Sequence, residues 1–284
     1  MSRHALALCA DDYGLAPYVD EAIDRLAHGG RLAAASMLVQ RARWPDAARR
    51  SHLWPVEVKR GLHFNLSHGY PLSRELRRHW DALPALPTLI ALAHARALPL
   101  AAIGAELQAQ YERFEDHVEA KPAFVDGHQH VHHLPGVRDL VLRFAQERGL
   151  AVRNTGRVEG PNDPLKRRLI EFTGGRALQR GLRRLGIRHN NVLLGAYDFE
   201  SPDYRARMQG WLKALGQEDT SARALLFCHP GDAANDGGAG DEIAAARQRE
   251  AAYLESGAFS DDLAAAGVAL GPAFEPAPGS SSAG

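Results

Sequence analysis

Residues 5–14 read ALALCADDYG, six small or aliphatic side chains from Ala5 to Ala10 that stop at Asp11-Asp12-Tyr13-Gly14. An apolar run that short, closed by acidic and turn-forming residues, is the pattern of a buried strand. The stretch after it, PYVDEAIDRLAHGG, has helical period, with Pro17 in its first turn and glycines behind it. A second strand-like run, LAAASMLV at 32–39, follows at once. Strand, helix, strand is the repeating unit of a parallel α/β fold.

Working outward, the unit recurs. Strand-like runs lie at 56–64, 123–127, 150–153, 191–195, 223–228 and 267–270. Between the third and fourth, Ile103, Leu107, Tyr111, Phe114 and Val118 recur at spacings of four, four, three and four, which predicts an amphipathic helix over about 100–118. Val137, Leu140, Val141 and Phe144 mark another. Seven or eight units favour a distorted or incomplete (β/α) barrel over an open doubly wound sheet. Residues 1–275 are expected to form this single domain, and the low-complexity tail 276–284 to be disordered.

Composition narrows the function classes. The 284 residues carry 34 Lys+Arg and 34 Asp+Glu, and this zero formal net charge argues against a general nucleic-acid binder. The neutrality is a cancellation: Arg153 to Arg188 holds ten Lys/Arg and three Asp/Glu, Asp232 to Asp262 eight Asp/Glu and two Arg. Such runs read as solvated helix faces of opposite sign, able to meet each other or a second subunit in a homodimer. The basic run could also make peripheral contact with anionic lipid. No run of 18 apolar residues and no signal-like start occurs, so an integral membrane segment is not expected. Cys9 and Cys228, far apart in sequence, suit a reducing compartment, and the chain reads as cytoplasmic.

Four segments carry chemistry, each behind a strand. Asp11-Asp12 at a strand end suits a shared cation or proton, or else a helix-capping turn. His63, in GLHFNL, is by itself either a ligand or a satisfied structural residue. In DGHQHVHHLP (126–135), four of the 14 histidines fall within six positions, a natural collection of ligands for a divalent metal. In extended conformation Asp126, His128 and His130 would project to one side. His229 in FCHPG is either a positioned acid or base, or part of an ordinary turn. In a parallel barrel all strand C-termini share one face, so these segments would converge there.

The segments ALCADDYGL, GLHFNLSHGYPL, KPAFVDGHQHVHHLP and FCHPG, in this order, resemble the YdjC-like carbohydrate deacetylases, which include chitooligosaccharide and hopanoid-associated deacetylases. The resemblance implies a barrel akin to those of polysaccharide deacetylases and hydrolysis of an N-acetyl group from an amino sugar. It implies Asp12, His63 and His128 as ligands of one divalent ion, Zn2+ or Mg2+. Tyr13 stands where the family most often has Phe, and Ala16 where Ser is frequent, both at the expected pocket rim.

On this reading Asp11 is the base for a metal-activated water. The oxyanion rests against the metal, with a backbone N–H near Gly14 or of the segment after Asp12, and His229 is the acid for the leaving amine, with His130 competing for that role. Arg153 holds Asp11 ionised, binds substrate hydroxyls, or is a surface residue of the basic run; His130, Arg153 and Tyr13 are the expected substrate-facing residues. Two rival readings are an amidohydrolase or phosphoesterase metal barrel and a non-catalytic metal or glycan binder. The first would place HxH behind the first strand, where this chain has Asp-Asp; the second has no need of Asp11 and His229. Trp44, Trp54, Trp80 and Trp211 form no aromatic stripe, and the long stretch from Pro71 to Pro99 could act as a lid.

Overall fold

A computed structural model describes residues 4–274, apart from positions 162, 221, 236, 237, 239 and 273. The expected tail 276–284 lies outside the described residues. Eight strands appear where the apolar runs predict them: β1 His4–Tyr13, β2 Ala34–Met37, β3 Lys59–Phe64, β4 Phe124–Gly127, β5 Ala151–Val152, β6 Val192–Leu194, β7 Ala224–Cys228 and β8 Val268–Leu270. All pair in parallel, in the order β5-β4-β3-β2-β1-β7-β6, with β8 on the first residues of β1.

The sheet curls into an incomplete barrel. Among the described residues no ladder joins β5 to β6, and side-chain amides bridge that gap. The Asn154 backbone N–H donates to Asn190 Oδ1 (2.7 Å), and the two side-chain amides donate to each other's backbone carbonyls at 3.1 and 3.0 Å. Two buried asparagines thus satisfy backbone groups that neighbouring strands would otherwise serve.

Strand alternation sorts the side chains. Ala7 and Cys9 of β1, Ala34, Phe124, Leu193, Leu225 and Phe227 form an inner cluster, while Leu6, Leu8 and Ala10 face outward into the larger core under the helices. The helix Leu100–Val118 buries Ile103, Leu107, Tyr111, Phe114 and Val118, as its spacing predicts. It also buries Glu106, whose carboxylate accepts the backbone N–H groups of Leu72 (3.0 Å) and Ser73 (2.7 Å). The stretch 71–99 is therefore tied down at its start and contains two helices, Arg74–Arg77 and Leu86–His94. Trp44, Trp54 and Trp211 are core residues, and Trp80 packs against the core.

Candidate functional site

The interior face of β1 continues from Cys9 to Asp11, and there the barrel holds an ionic knot rather than hydrocarbon. Arg153, directly after β5, reaches Asp11 with two parallel contacts of 2.6 Å and Asp126 on β4 with a third of 2.6 Å; Cys9 Sγ lies 3.2 Å away. None of the four is more than 2% exposed. Carboxylates so deep need a cation, and the guanidinium supplies it. Of the three readings of Arg153, the geometry gives it the one that holds Asp11; fully buried, it is neither a surface residue of the basic run nor open to a substrate. Cys9, Asp11 and Asp126 also have metal-like spacing, but Arg153 occupies the place among them.

At Asp12 the alternation breaks. Its φ of 71° lies in the left-handed region, and the β1–β2 register shifts between Ala10 and Tyr13. A non-glycine residue held there costs about 1–3 kcal/mol and is a recurrent mark of functional sites. The break turns the Asp12 carboxylate toward the strand ends, where His128 Nδ1 lies 3.0 Å and His63 Nε2 3.4 Å from its Oδ1. Ligand atoms of the three residues all lie within 4.8 Å of one another. Asp12 Oδ2 accepts from Arg247 Nη2 at 2.7 Å, so Oδ1 is the oxygen left for a cation. Burial would push the Asp12 carboxyl up, but Arg247 and His128 hold it well below its usual range.

The neighbours of His63 complete a metal-ligand pattern. Its Nδ1 lies 2.7 Å from Asp126 Oδ1, which also accepts from Ser36 Oγ at 2.5 Å. A carboxylate on one ring nitrogen fixes the tautomer and aims the other at the ion, the usual support of a metal-binding histidine. Burial pulls the His63 imidazole down, yet Asp126 and Asp12 override it and raise it to about 10. The His63 ring is thus a cation held between the Asp126 and Asp12 carboxylates. One carboxylate and two imidazoles, two of the three nearly inaccessible, fit an ion such as Zn2+ or Mg2+.

The histidine cluster is not extended. Residues His128–His133 form a tight 3-10 turn with left-handed backbone at Gln129 (φ 52°) and His130 (φ 62°). The expected common direction of His128 and His130 is therefore corrected: His128 meets Asp12, while the His130 ring sits edge-on to Phe227 at 5.3 Å. A pair of HxH ligands to a two-metal centre is not formed. His132 Nε2 lies 3.0 Å from the Arg153 carbonyl, and His133 bridges Thr155 and Thr173 at 2.9 and 3.0 Å. These two histidines fasten the turn.

His229 leaves the end of β7 with its ring edge-on to Phe199 (5.2 Å) and Phe227 (5.6 Å). Burial holds its imidazole down to about 4, and its buried Nδ1 has no hydrogen-bond partner among the described residues. Its backbone N–H donates to Glu250 Oε2 at 2.5 Å, and Tyr197 donates to Glu250 Oε1 at 2.5 Å. His229 is thus held by its main chain, with its ring nitrogens left for other partners.

Two expectations fail. Tyr13 is not at the rim: the break at Asp12 directs it outward, where it is fully buried and donates to Asp24 Oδ1 (3.0 Å) and the Ala47 carbonyl (2.9 Å). The Gly14 N–H is already spent on Asp20 Oδ1 at 2.6 Å, so it faces no oxyanion. Glycine is needed there for shape, since at φ 94° a Cβ would lie 2.5 Å from the Leu38 carbonyl oxygen. Sequence reasoning gives no role to Ser36, Asp126, Arg247 or Glu250. Asp126 stands in a motif already singled out, and Arg247 and Glu250 are an i,i+3 pair on one face of the helix Ala244–Glu255.

The YdjC-like protein family model matches residues 5–265. The chitooligosaccharide deacetylase of Salmonella typhimurium LT2 is 34% identical over 151 residues, which are 53% of this chain and 59% of that protein. The chitooligosaccharide deacetylase of Klebsiella pneumoniae strain 342 is 34% identical over 158 residues, with the same shares. The match thus spans about three fifths of these relatives' length. In fold, the chain is similar to the crystal structure of a candidate cellobiose-phosphate cleavage protein from Enterococcus faecalis V583, with a TM-score of 0.74, 17% identity, and 95% of this chain and 98% of that one covered.

Proposed function

The chain belongs to the YdjC-like protein family, and from that premise we propose that it is a metal-dependent hydrolase removing the N-acetyl group from an amino sugar. The observation that carries this reading is the convergence of His63 and His128 on a single oxygen of Asp12, beside the Arg153-bound Asp11. The two matched relatives named as chitooligosaccharide deacetylases support the substrate class.

Asp12, His63 and His128 would hold the ion, and their mixed oxygen and nitrogen donors favour Zn2+ over Mg2+. What a bound divalent ion supplies is Lewis acidity toward the acetamide carbonyl and a lower pKa for water. The remaining work belongs to the chain. Arg247 anchors the second oxygen of Asp12 and so fixes the direction of the first. Ser36 and Asp126 orient His63. Arg153 takes two of the roughly four lone-pair sites of Asp11 and Cys9 Sγ faces a third at 3.9 Å; Asp11, through the site left over, is the base that accepts the proton of the attacking water.

His229 delivers a proton to the departing nitrogen. Because burial holds its imidazole down to about 4, it is neutral at rest and becomes an acid by taking up the proton that the attacking water gave to Asp11, so that this proton ends on the leaving amine and both side chains return to their starting states. His130, half-buried at the left-handed turn, lines the same side of the pocket and is the second candidate for that proton or for a substrate hydroxyl.

The test separates ligand from base. His128→Ala is expected to lose the metal itself, measured by elemental analysis. Asp11→Asn is expected to retain metal and lose at least about 100-fold in acetate release, the scale of general-base loss. An Asp12→Ala protein that is metal-free and fully active would end the proposal.

A further inference from the structure

We propose that the face formed by Leu165, Leu169 and Phe172 docks on the surface of an anionic phospholipid bilayer. These residues follow one another at i, i+4 and i+7 through the helix Pro164–Ile170 and the π-turn Glu171–Gly175, so they form one stripe. They are 79%, 56% and 66% exposed, and they account for three of the seven exposed large hydrophobic residues among those described. The opposite side of the same stretch is already satisfied: Ile170, Leu178 and Leu182 are buried. Apolar stripes of this kind, held outward by a folded element, mark interaction surfaces rather than leftover core.

The charge around the stripe selects the partner. From Pro164 to Arg184 there are seven Lys/Arg and one acidic residue, Glu171. Arg176 pairs with Glu171 at 2.9 Å while lying 4.4 Å over the Phe172 ring. Arg168 and Arg180 are exposed, and among the described residues neither has an ion-pair partner. Large apolar side chains flanked by arginines suit insertion below anionic headgroups. Two copies of the stripe facing each other would bring like charges together, and a nucleic acid would leave the apolar residues without a use.

The face also adjoins the pocket. Thr173 contacts His133 of the histidine turn at 3.0 Å. Lys166 donates to the Tyr197 carbonyl at 2.5 Å and stands 4.2 Å over Phe199, whose ring contacts that of His229. A bilayer engaged by the stripe would therefore lie beside the strand-end face, in reach of an acetylated sugar carried on a lipid.

The inference is tested by co-sedimenting the full chain with vesicles of phosphatidylcholine containing phosphatidylglycerol, and with phosphatidylcholine alone. Binding is expected only with the anionic vesicles, and it should weaken with salt. The Leu169→Ser/Phe172→Ser protein should lose binding while its circular dichroism is unchanged. Arg168→Gln and Arg180→Gln should each lower vesicle affinity about fivefold, the worth of one basic charge near the surface. Equal binding by wild type and variants, or no binding by wild type, overturns the proposal. So does a dimer in sedimentation velocity that the serine variant dissolves, which would assign the stripe to a second copy. Release of acetate from a soluble sugar does not enter the readout, so failure here leaves the proposed chemistry standing.

Discussion

Replacing Arg153 by Met tests the ionic knot on which the pocket rests. Methionine keeps most of the side-chain volume, so the change removes charge and hydrogen bonds more than packing. It strips three contacts of 2.6 Å from Asp11 and Asp126, leaving Asp11 without its cation and Asp126 with His63 alone, at positions no more than 2% exposed. Breaking a buried pair in this way costs about 3–5 kcal/mol, a large part of the total stability of about 5–15 kcal/mol usual for a folded protein. The melting temperature should fall by roughly 10 °C. The pH profile should flatten in acid as well. In the wild type, burial would push Asp126 up, but Arg153 and His63 hold its carboxyl below the unfolded value. Its contribution is therefore complete above about pH 4 and is lost as the pH falls further. Without the arginine Asp126 loses the larger of the two cations that hold it down and keeps His63, so the stability lost on acidification below about pH 4 should be smaller than in the wild type. Urea titrations across a pH series read both effects. A variant as stable as wild type at neutral pH, with an unchanged profile, would refute the argument.

Two further predictions follow from perturbed groups. Asp126 and Asp12 raise His63 to about 10, so an ion taken up at its Nε2 would have to displace a proton. Metal affinity should rise about tenfold per pH unit toward that value and level off above it, and calorimetry in buffers of different ionisation enthalpy should find about one proton released near neutral pH. Glu250 is pushed up to about 7 by burial, against the hydrogen bonds from Tyr197 and His229. It costs nothing below its unfolded value near 4.3 and destabilises progressively up to about pH 7, by on the order of 3 kcal/mol. Glu250→Gln should flatten the stability profile over that window, and an unaltered slope would contradict this account.

The eight strands were legible because each apolar run is short and punctuated by Gly, Pro or charged residues, and parallel topology then brings their ends together. Convergence of Asp12, His63 and His128 follows from that topology. What the pattern could not reveal depends on tertiary packing. Strand alternation fails at Asp12 because the backbone turns left-handed there, which sends Tyr13 into the core. His130 leaves the direction of His128 because His132 and His133 are fixed to Arg153, Thr155 and Thr173. Arg247 sits in an acidic, alanine-rich stretch with no motif around it, and its partner Asp12 is 235 positions away. The paired basic and acidic runs are real in sequence, but the charges that shape the pocket are buried ones drawn from neither run alone.

If this barrel end holds a metal used to release acetate from an N-acetylated sugar, metal content and acetate release must rise and fall together. The most direct measurement is acetate release from chitooligosaccharides, monomeric N-acetylglucosamine and acetylated glycolipids, with metal content determined on the same sample and on Asp12→Ala. Acetate should appear in proportion to bound metal, with both lost together in the variant. Metal-loaded protein that releases no acetate from any of the three substrate classes would contradict it.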